Sequence, residues 1–218
     1  AKKIYAYDSN IKSLEFAKEK KLINDYDCKG YKFLSESDFI IICTPMGSYL
    51  KIFKTIEKYK KSGVIITDIG STKQNVIDAS KLVISNHNDC FLGSHPLTGK
   101  ETSGVTSYEN NLFNKAVVLV TPTDKSDKGL IKKISKFWKD LQCKVKMISP
   151  ELHDLVLSET SHLPHLVSFA LVNIILNTKS IKNIKDYTGG GFRDFARLAH
   201  SDGLMWNDIC MSNDKNII

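Results

Sequence analysis

No uninterrupted apolar stretch in the 218 residues approaches the roughly 20 that a membrane helix requires. The opening AKKIYAYDSN also lacks the apolar centre of a secretion signal. The expectation is a soluble chain with no membrane partner. Cysteine is sparse: Cys28, Cys43, Cys90, Cys143 and Cys210 form no CxxC pair and are odd in number, which argues against a disulfide framework or a zinc site and fits a reducing cytoplasm. Low-complexity sequence is absent too. The formal charge of +7 comes mostly from dispersed lysines, as in KEKK (18–21) and KYKK (58–61), with no basic stripe interleaved with aromatics. That pattern reads as solvated surface rather than a nucleic-acid groove. It still leaves a positive field able to gather a small dianion.

What is present is an alternation. Short apolar runs recur at 2–8, 38–44, 63–69, 90–94, 115–121 and 143–149, and amphipathic stretches of helical length lie between several of them, at 10–21, 72–84 and 127–141. Nearly all-apolar strands alternating with helices predict a mostly parallel, doubly wound sheet covered on both faces. From residue 149 the pattern changes. ELHDLVLSETSHLPHLVSFALVNIIL (151–176) keeps helical spacing throughout, so an α/β domain over 1–148 and an all-helical domain over 149–218 are expected.

Ligands of such sheets collect beyond the carboxyl ends of the strands. Asp8 ends the first run, where a dinucleotide-binding fold sets an acid against the adenosine ribose, although Asp is equally a common helix N-cap. The glycine-rich turn GxGxxG should precede such an acid by about 20 residues. The sequence starts only seven residues before Asp8, so this reading expects the first strand, phosphate-binding turn and first helix to be missing. Thr44 and Pro45 follow the second run, and Asp68 and Ser71 the third, in loops that read either as ligand contacts or as ordinary capped turns. His95, in GSHPLTGKETSG (93–104), has the placement and near-neutral pKa of a general base, or else is hydrogen-bonded within its turn.

Three features stand out in the helical part. In SHLPH (161–165), His162 and His165 share a helix face, and Pro164 removes a backbone bond to Thr160 and should kink the helix. His153 lies nine residues before His162, on the opposite face of a continuous helix, which argues against metal. In GGGFRDFARLAHSDGLMW (189–206), the glycines imply tight geometry or close approach to a chain or ligand. Arg193, Asp194 and Arg197 can share one face of the helix after them, as an anion site or a surface ion cluster.

Together DIGSTK (68–73), GSHPLTGKETSG, SPELHD (149–154), SHLPH and GGGFRDFARLAHSDGLMW resemble the prephenate dehydrogenase family, over nearly the whole chain. The resemblance implies a Rossmann-like domain lacking its first βα unit, followed by a helical domain through which two subunits form a homodimer, with substrate between the domains. It implies NAD-dependent oxidative decarboxylation of prephenate. His95 resembles the catalytic histidine that accepts the ring-hydroxyl proton, and Ser71 the serine that hydrogen-bonds that hydroxyl. Arg197 resembles the arginine that binds a substrate carboxylate, and His165 the contact to the pyruvyl side chain. Glu101 and Asp194 match acids that pair with such an arginine, while His153, Ser161 and Trp206 fall at supporting positions. Asp8, Thr44, Pro45 and Asp68 are the expected cofactor contacts, Asp8 favouring NAD because its charge would repel a 2′-phosphate. The resemblance also implies that the helical domain stops before the family's later dimer helices. Two other readings stand beside this one. Arogenate could replace prephenate, against which His165 as a potential cation speaks, or the scaffold could be a non-catalytic ligand-sensing or dimerisation module.

Overall fold

The computed structural model describes residues 3–28, 31–99, 104–178 and 182–218. Its centre is a five-stranded sheet with spatial order β3 (Phe39–Ile42), β4 (Ile65–Asp68), β5 (Phe91–Pro96), β6 (Val117–Thr121) and β7 (Lys144–Met147). All neighbours run parallel except β5 and β6, which pair antiparallel. A separate parallel pair, β1 (Tyr5–Ala6) and β2 (Asp25–Tyr26), stands beside α1 (Ile11–Glu19). All six runs predicted as strands are strands. The two-residue β2 has no apolar alternation and gave no signal.

The sheet is covered on both faces because successive side chains point opposite ways. In β5, Phe91 joins a core with Phe53 and Ile56 of α2 (Tyr49–Tyr59) and Val76 and Ile77 of α3 (Gln74–Val83). Its neighbour Leu92 joins a second core with Leu130, Ile134 and Trp138 of α5 (Lys128–Asp140). A four-residue helix, α4 (His87–Cys90), leads into β5. Asn10 caps α1 and Asp127 caps α5, each through a side-chain oxygen.

The helical part opens with α6 (Pro150–Leu157), which Ser149 caps and Pro150 starts at the first position, where a missing N–H costs nothing. A π-helical turn, Ser158–His162, joins it to α7 (Leu163–Asn177). The irregularity falls where Pro164 cannot donate to Thr160, so the sequence-based expectation of a break is met by a widened turn. The helices α8 (Gly190–Leu198), α9 (Gly203–Ser212) and α10 (Asp214–Ile217) complete the chain. Taken as one segment, Pro150–Asn177 is long and apolar enough to cross a membrane by length and composition alone. Counting uninterrupted apolar runs did not show this, because His, Ser and Thr dilute the stretch. Several of its polar residues are turned inward, with His153, Asp154, Ser158 and His162 all buried.

Trp206 and Ile209 of α9 enter the core formed by α2 and α3, so the helical part packs directly on the α/β part. The glycines at 189–191 do not meet the expectation of tight geometry within this chain. A Cβ at any of them would touch nothing within 4 Å, and none has positive φ.

Phe53 is wholly buried and makes edge-on ring contacts with Tyr49 and Phe91. Phe53→Ala should lower unfolding free energy by about 3 to 5 kcal/mol, as cavity-forming aromatic truncations do. Urea denaturation measures it, and a loss under about 1 kcal/mol would show that the core closes around the gap.

Candidate active site

A cavity of about 510 Å³ lies at the carboxyl end of β5, where the α/β and helical parts meet. Ser71, His95 and Pro96 line it from the sheet side, and Ser161, His162, His165, Arg197 and Trp206 from the helices. The two residues expected to do chemistry and the two expected to hold substrate therefore share one space.

Beneath its floor is a buried charge cluster. Asp68 ends β4 with no exposure, ion-paired to the equally buried Lys73. Its Oδ2 also accepts from the Tyr49 hydroxyl at 3.0 Å and from Gly70 N at 2.9 Å, and its Oδ1 accepts from Ser94 N at 3.1 Å. Gly70 is required here, since a Cβ would lie 2.6 Å from the Tyr49 hydroxyl and 2.9 Å from Asp68 Oδ2. Asp68 was expected to contact cofactor. Its carboxylate is instead engaged by protein donors, and the structure gives it the role of holding the β4 and β5 loop ends together. Burial pushes Tyr49 well above its ordinary pKa, with the nearby Asp68 charge adding to the effect.

Lys73 occupies the cap position of α3, but its side chain is turned to Asp68 and cannot cap the helix. Asp154 of α6 does so instead: Lys73 N donates to Oδ1 at 2.8 Å and Gln74 N to Oδ2 at 2.9 Å. The same Oδ1 lies 2.8 Å from His153 Nδ1, and His153 Nε2 lies 2.9 Å from His95 Nδ1. Asn213 closes the cluster, donating its side-chain amide to the Asp154 carbonyl at 2.8 Å and approaching His162 Nδ1 at 3.1 Å.

The histidines are held neutral. Burial pushes His95 well below its usual range, aided by the positive Lys73 and by His153 and His162. This differs from the near-neutral value expected of a general base. Burial likewise lowers His153, opposed by its hydrogen bond to Asp154. His162 falls to about 4 through burial, although Asp154 opposes the shift. Its Nε2 has no partner in hydrogen-bond geometry among the described residues, while the Ser71 backbone is close enough to favour the charged form. His153 also disfavours protonation of His162, so the π turn brings together residues that a continuous helix would set on opposite faces.

His165 stacks on Trp206, with ring centroids 3.7 Å apart and planes 18° from parallel, and its Nδ1 donates to the Ser161 carbonyl at 2.9 Å. Burial lowers its pKa, and Arg197 adds to the shift. The potential cation expected at His165 is thus a neutral ring.

The remaining expected site residues divide. Thr44 and Pro45 sit at the carboxyl end of β3, and Thr44 Oγ1 is buried without a partner among the described residues. A hydroxyl left in this way suits a bound polar group. Asp8 is exposed after β1, its Oδ1 accepting from Asn10 N at 2.8 Å. Asp194 lies on the exposed side of α8, outside the cavity lining. Glu101 lies outside the described residues. Sequence reasoning placed Asp154 within SPELHD without showing its role, and gave no signal at all for Asn213. An acid following a buried histidine on an apolar helix face was the available clue to Asp154.

A mostly parallel sheet whose rim is closed by helices into a histidine-rich pocket defines an α/β protein with a helical part packed on its strand ends. Similarity to known proteins gives the family. Residues 1–147 match "Prephenate dehydrogenase, nucleotide-binding domain" and residues 149–218 match "Prephenate dehydrogenase, dimerization domain". The chain belongs to the prephenate dehydrogenase family. It is 34% identical over 200 residues to a prephenate dehydrogenase of Bacillus subtilis, covering 88% of this chain and 53% of the relative. It is 33% identical over 180 residues to a cyclohexadienyl dehydrogenase of Zymomonas mobilis, covering 82% and 61%. The chain thus spans little more than half the length of these curated relatives. Among solved structures, prephenate dehydrogenase from Aquifex aeolicus, in complex with hydroxyphenyl propionate and NAD+, superposes with a TM-score of 0.91 at 34% identity. That match covers 99% of this chain and 75% of the other.

His162 titrates at about 4 in the fold against 6.5 in a model peptide. Between those values the unfolded chain binds a proton that the folded chain does not, so stability falls as pH drops through the window and the loss is complete below about 4. The share from His162 is about 3 kcal/mol. Urea unfolding of wild type and His162→Gln at pH 7 and 4.5 reads it, the variant losing less. Equal losses would remove His162 from the acid sensitivity.

Proposed function

We propose that this chain supports NAD-dependent oxidative decarboxylation of prephenate to 4-hydroxyphenylpyruvate. The observation that carries the reading is one cavity in which a neutral histidine of the sheet faces a guanidinium delivered by the helices. Membership of the family and the NAD+ named for the Aquifex aeolicus structure support the cofactor. Thr44, with its unsatisfied hydroxyl, and Pro45 would border the nicotinamide end, and Asp8 the ribose. When bound, the nicotinamide supplies the hydride acceptor.

The residues of the chain do the rest. His95 accepts the proton of the ring hydroxyl as hydride departs from the same carbon and a carbon–oxygen double bond forms. The bond to the ring carboxylate then breaks as carbon dioxide, and its electron pair passes through the ring to the oxygen, which recovers the proton from His95. Aromaticity makes this second step strongly favourable, so alignment is what the protein must supply. Ser71 orients the hydroxyl. Arg197 binds a carboxylate of the dianion, a charged hydrogen bond worth roughly 1.5 to 3 kcal/mol.

Arogenate is a second reading with one observation in its favour. Because the Ser161 carbonyl can only accept, His165 carries its proton on Nδ1, which leaves Nε2 bare. A bare nitrogen accepts from an ammonium more readily than it binds a carboxylate. The name of the Zymomonas mobilis relative is compatible with either substrate. A second copy of the chain is the proposed partner, supported by the dimerization-domain match and by the exposed Val167, Ile174, Leu176 and Met211.

Prephenate- or arogenate-dependent NADH formation tests the reading, with binding of hydroxyphenyl propionate as a cofactor-independent check. His95→Asn should lower kcat by about 10² to 10⁴ with KM little changed, the usual contribution of a positioned base. An unchanged kcat would remove His95 from the chemistry. Arg197→Ala should chiefly raise KM, by about tenfold or more for one lost charged contact. A normal KM would place the carboxylate elsewhere.

A further inference from the structure

The cavity-lining residues leave one question open: which nitrogen of His95 is free to take a proton. The answer lies in two residues outside the cavity. A carboxylate only accepts, so the 2.8 Å contact between Asp154 Oδ1 and His153 Nδ1 must be donated by the imidazole. A neutral His153 then has a bare Nε2, which can only accept. The 2.9 Å contact to His95 is therefore donated by His95 Nδ1, and the lone pair of His95 is left on Nε2. His153 is fully buried and contributes nothing to the cavity wall, so Nδ1 of His95 faces the protein interior and the other ring edge is left for the cavity.

Resting on the proposed reaction, we propose that Asp154, acting through His153, is the positioning device that fixes His95 as its Nδ1–H tautomer and so makes Nε2 the proton acceptor. The direction depends on His153 staying neutral. Were His153 doubly protonated, its Nε2–H would donate to His95, and His95 would turn a donor toward the substrate. The groups around the pair oppose that state. Burial and the charge of Lys73 disfavour a proton on His153, while Asp154 and Asp68 favour one, and the net direction is downward. His95 itself faces Lys73, His153 and His162, all of which disfavour its charge. Asp154 cannot turn away, because Lys73 N and Gln74 N hold both of its oxygens. Orientation of one imidazole by a second-sphere acceptor is a recurrent means of selecting a tautomer.

The test reads the tautomer directly. Nitrogen-15 spectra of the imidazoles of the whole chain at pH 7.5 should show His95 with a protonated Nδ1 and a bare Nε2, whether or not the chain turns over substrate. A His95 protonated on Nε2 in wild type overturns the proposal, even if dehydrogenase activity is found. Failure of the activity assay with the expected tautomer present would overturn the reaction assignment instead. His153→Leu should abolish the tautomer preference and lower kcat by about 10² to 10⁴ with KM near wild type, the scale of a lost positioned base or wrong tautomer. His153→Gln, whose carbonyl can still accept from Nδ1, should keep kcat within about tenfold. A His153→Leu protein that keeps both the tautomer and kcat would also overturn the proposal.

Discussion

The Asp154 carboxylate is the interaction on which the rest of the structure depends. It takes two backbone donors from the start of α3 and one ring donor from its own helix, all at 2.8 to 2.9 Å. A helix start carries unsatisfied N–H groups and the positive end of the helix dipole, so an anion placed there satisfies both. What is unusual is that the anion comes from the other structural part. The bond that completes α3 also docks α6 on the sheet rim and orients the histidine beside the cavity. The seam and the site therefore share one set of contacts.

A buried charge pair supports this seam from below. Asp68 and Lys73 have no exposure, and an ion pair so placed is poor evidence of stability, because desolvation offsets much of the attraction. Its value lies in position. Asp68 gathers the ends of β4 and β5, and Lys73 brings a fixed positive charge near His95. The strand-end carboxylate that looked from sequence like a ligand for cofactor is thus structural, while Lys73, three residues from the loop glycine Gly70, adds to the effect of burial on His95.

Much of the fold was legible because it rests on periodicity. The strand runs ending in Ile42, Asp68, Pro96 and Thr121 are apolar on both faces, and both faces are covered. The β2 strand is two residues long and polar at Asp25, below the reach of any pattern. At the site, sequence motifs located Ser71, His95, His165 and Arg197, and these do line one cavity. Protonation was not legible. Whether His95 or His165 is charged depends on desolvation and on neighbours distant in sequence, such as Lys73 for the former and Arg197 for the latter. Asn213, which touches both Asp154 and His162 from the far end of the chain, belongs to the same class of long-range information.

The π turn at Ser158–His162 acts as a phase shifter in an otherwise continuous helical rod. Nine residues of uniform α-helix would set His153 and His162 about 180° apart, and the extra residue held in the widened turn takes up about 100° of that, so both rings reach the seam beside Asp154. A rod of uniform pitch would turn one of the two rings away from that seam. This stretch therefore supplies angular register as well as side chains: His162 sits within the turn itself, and its contact with Asn213 depends on the widened pitch.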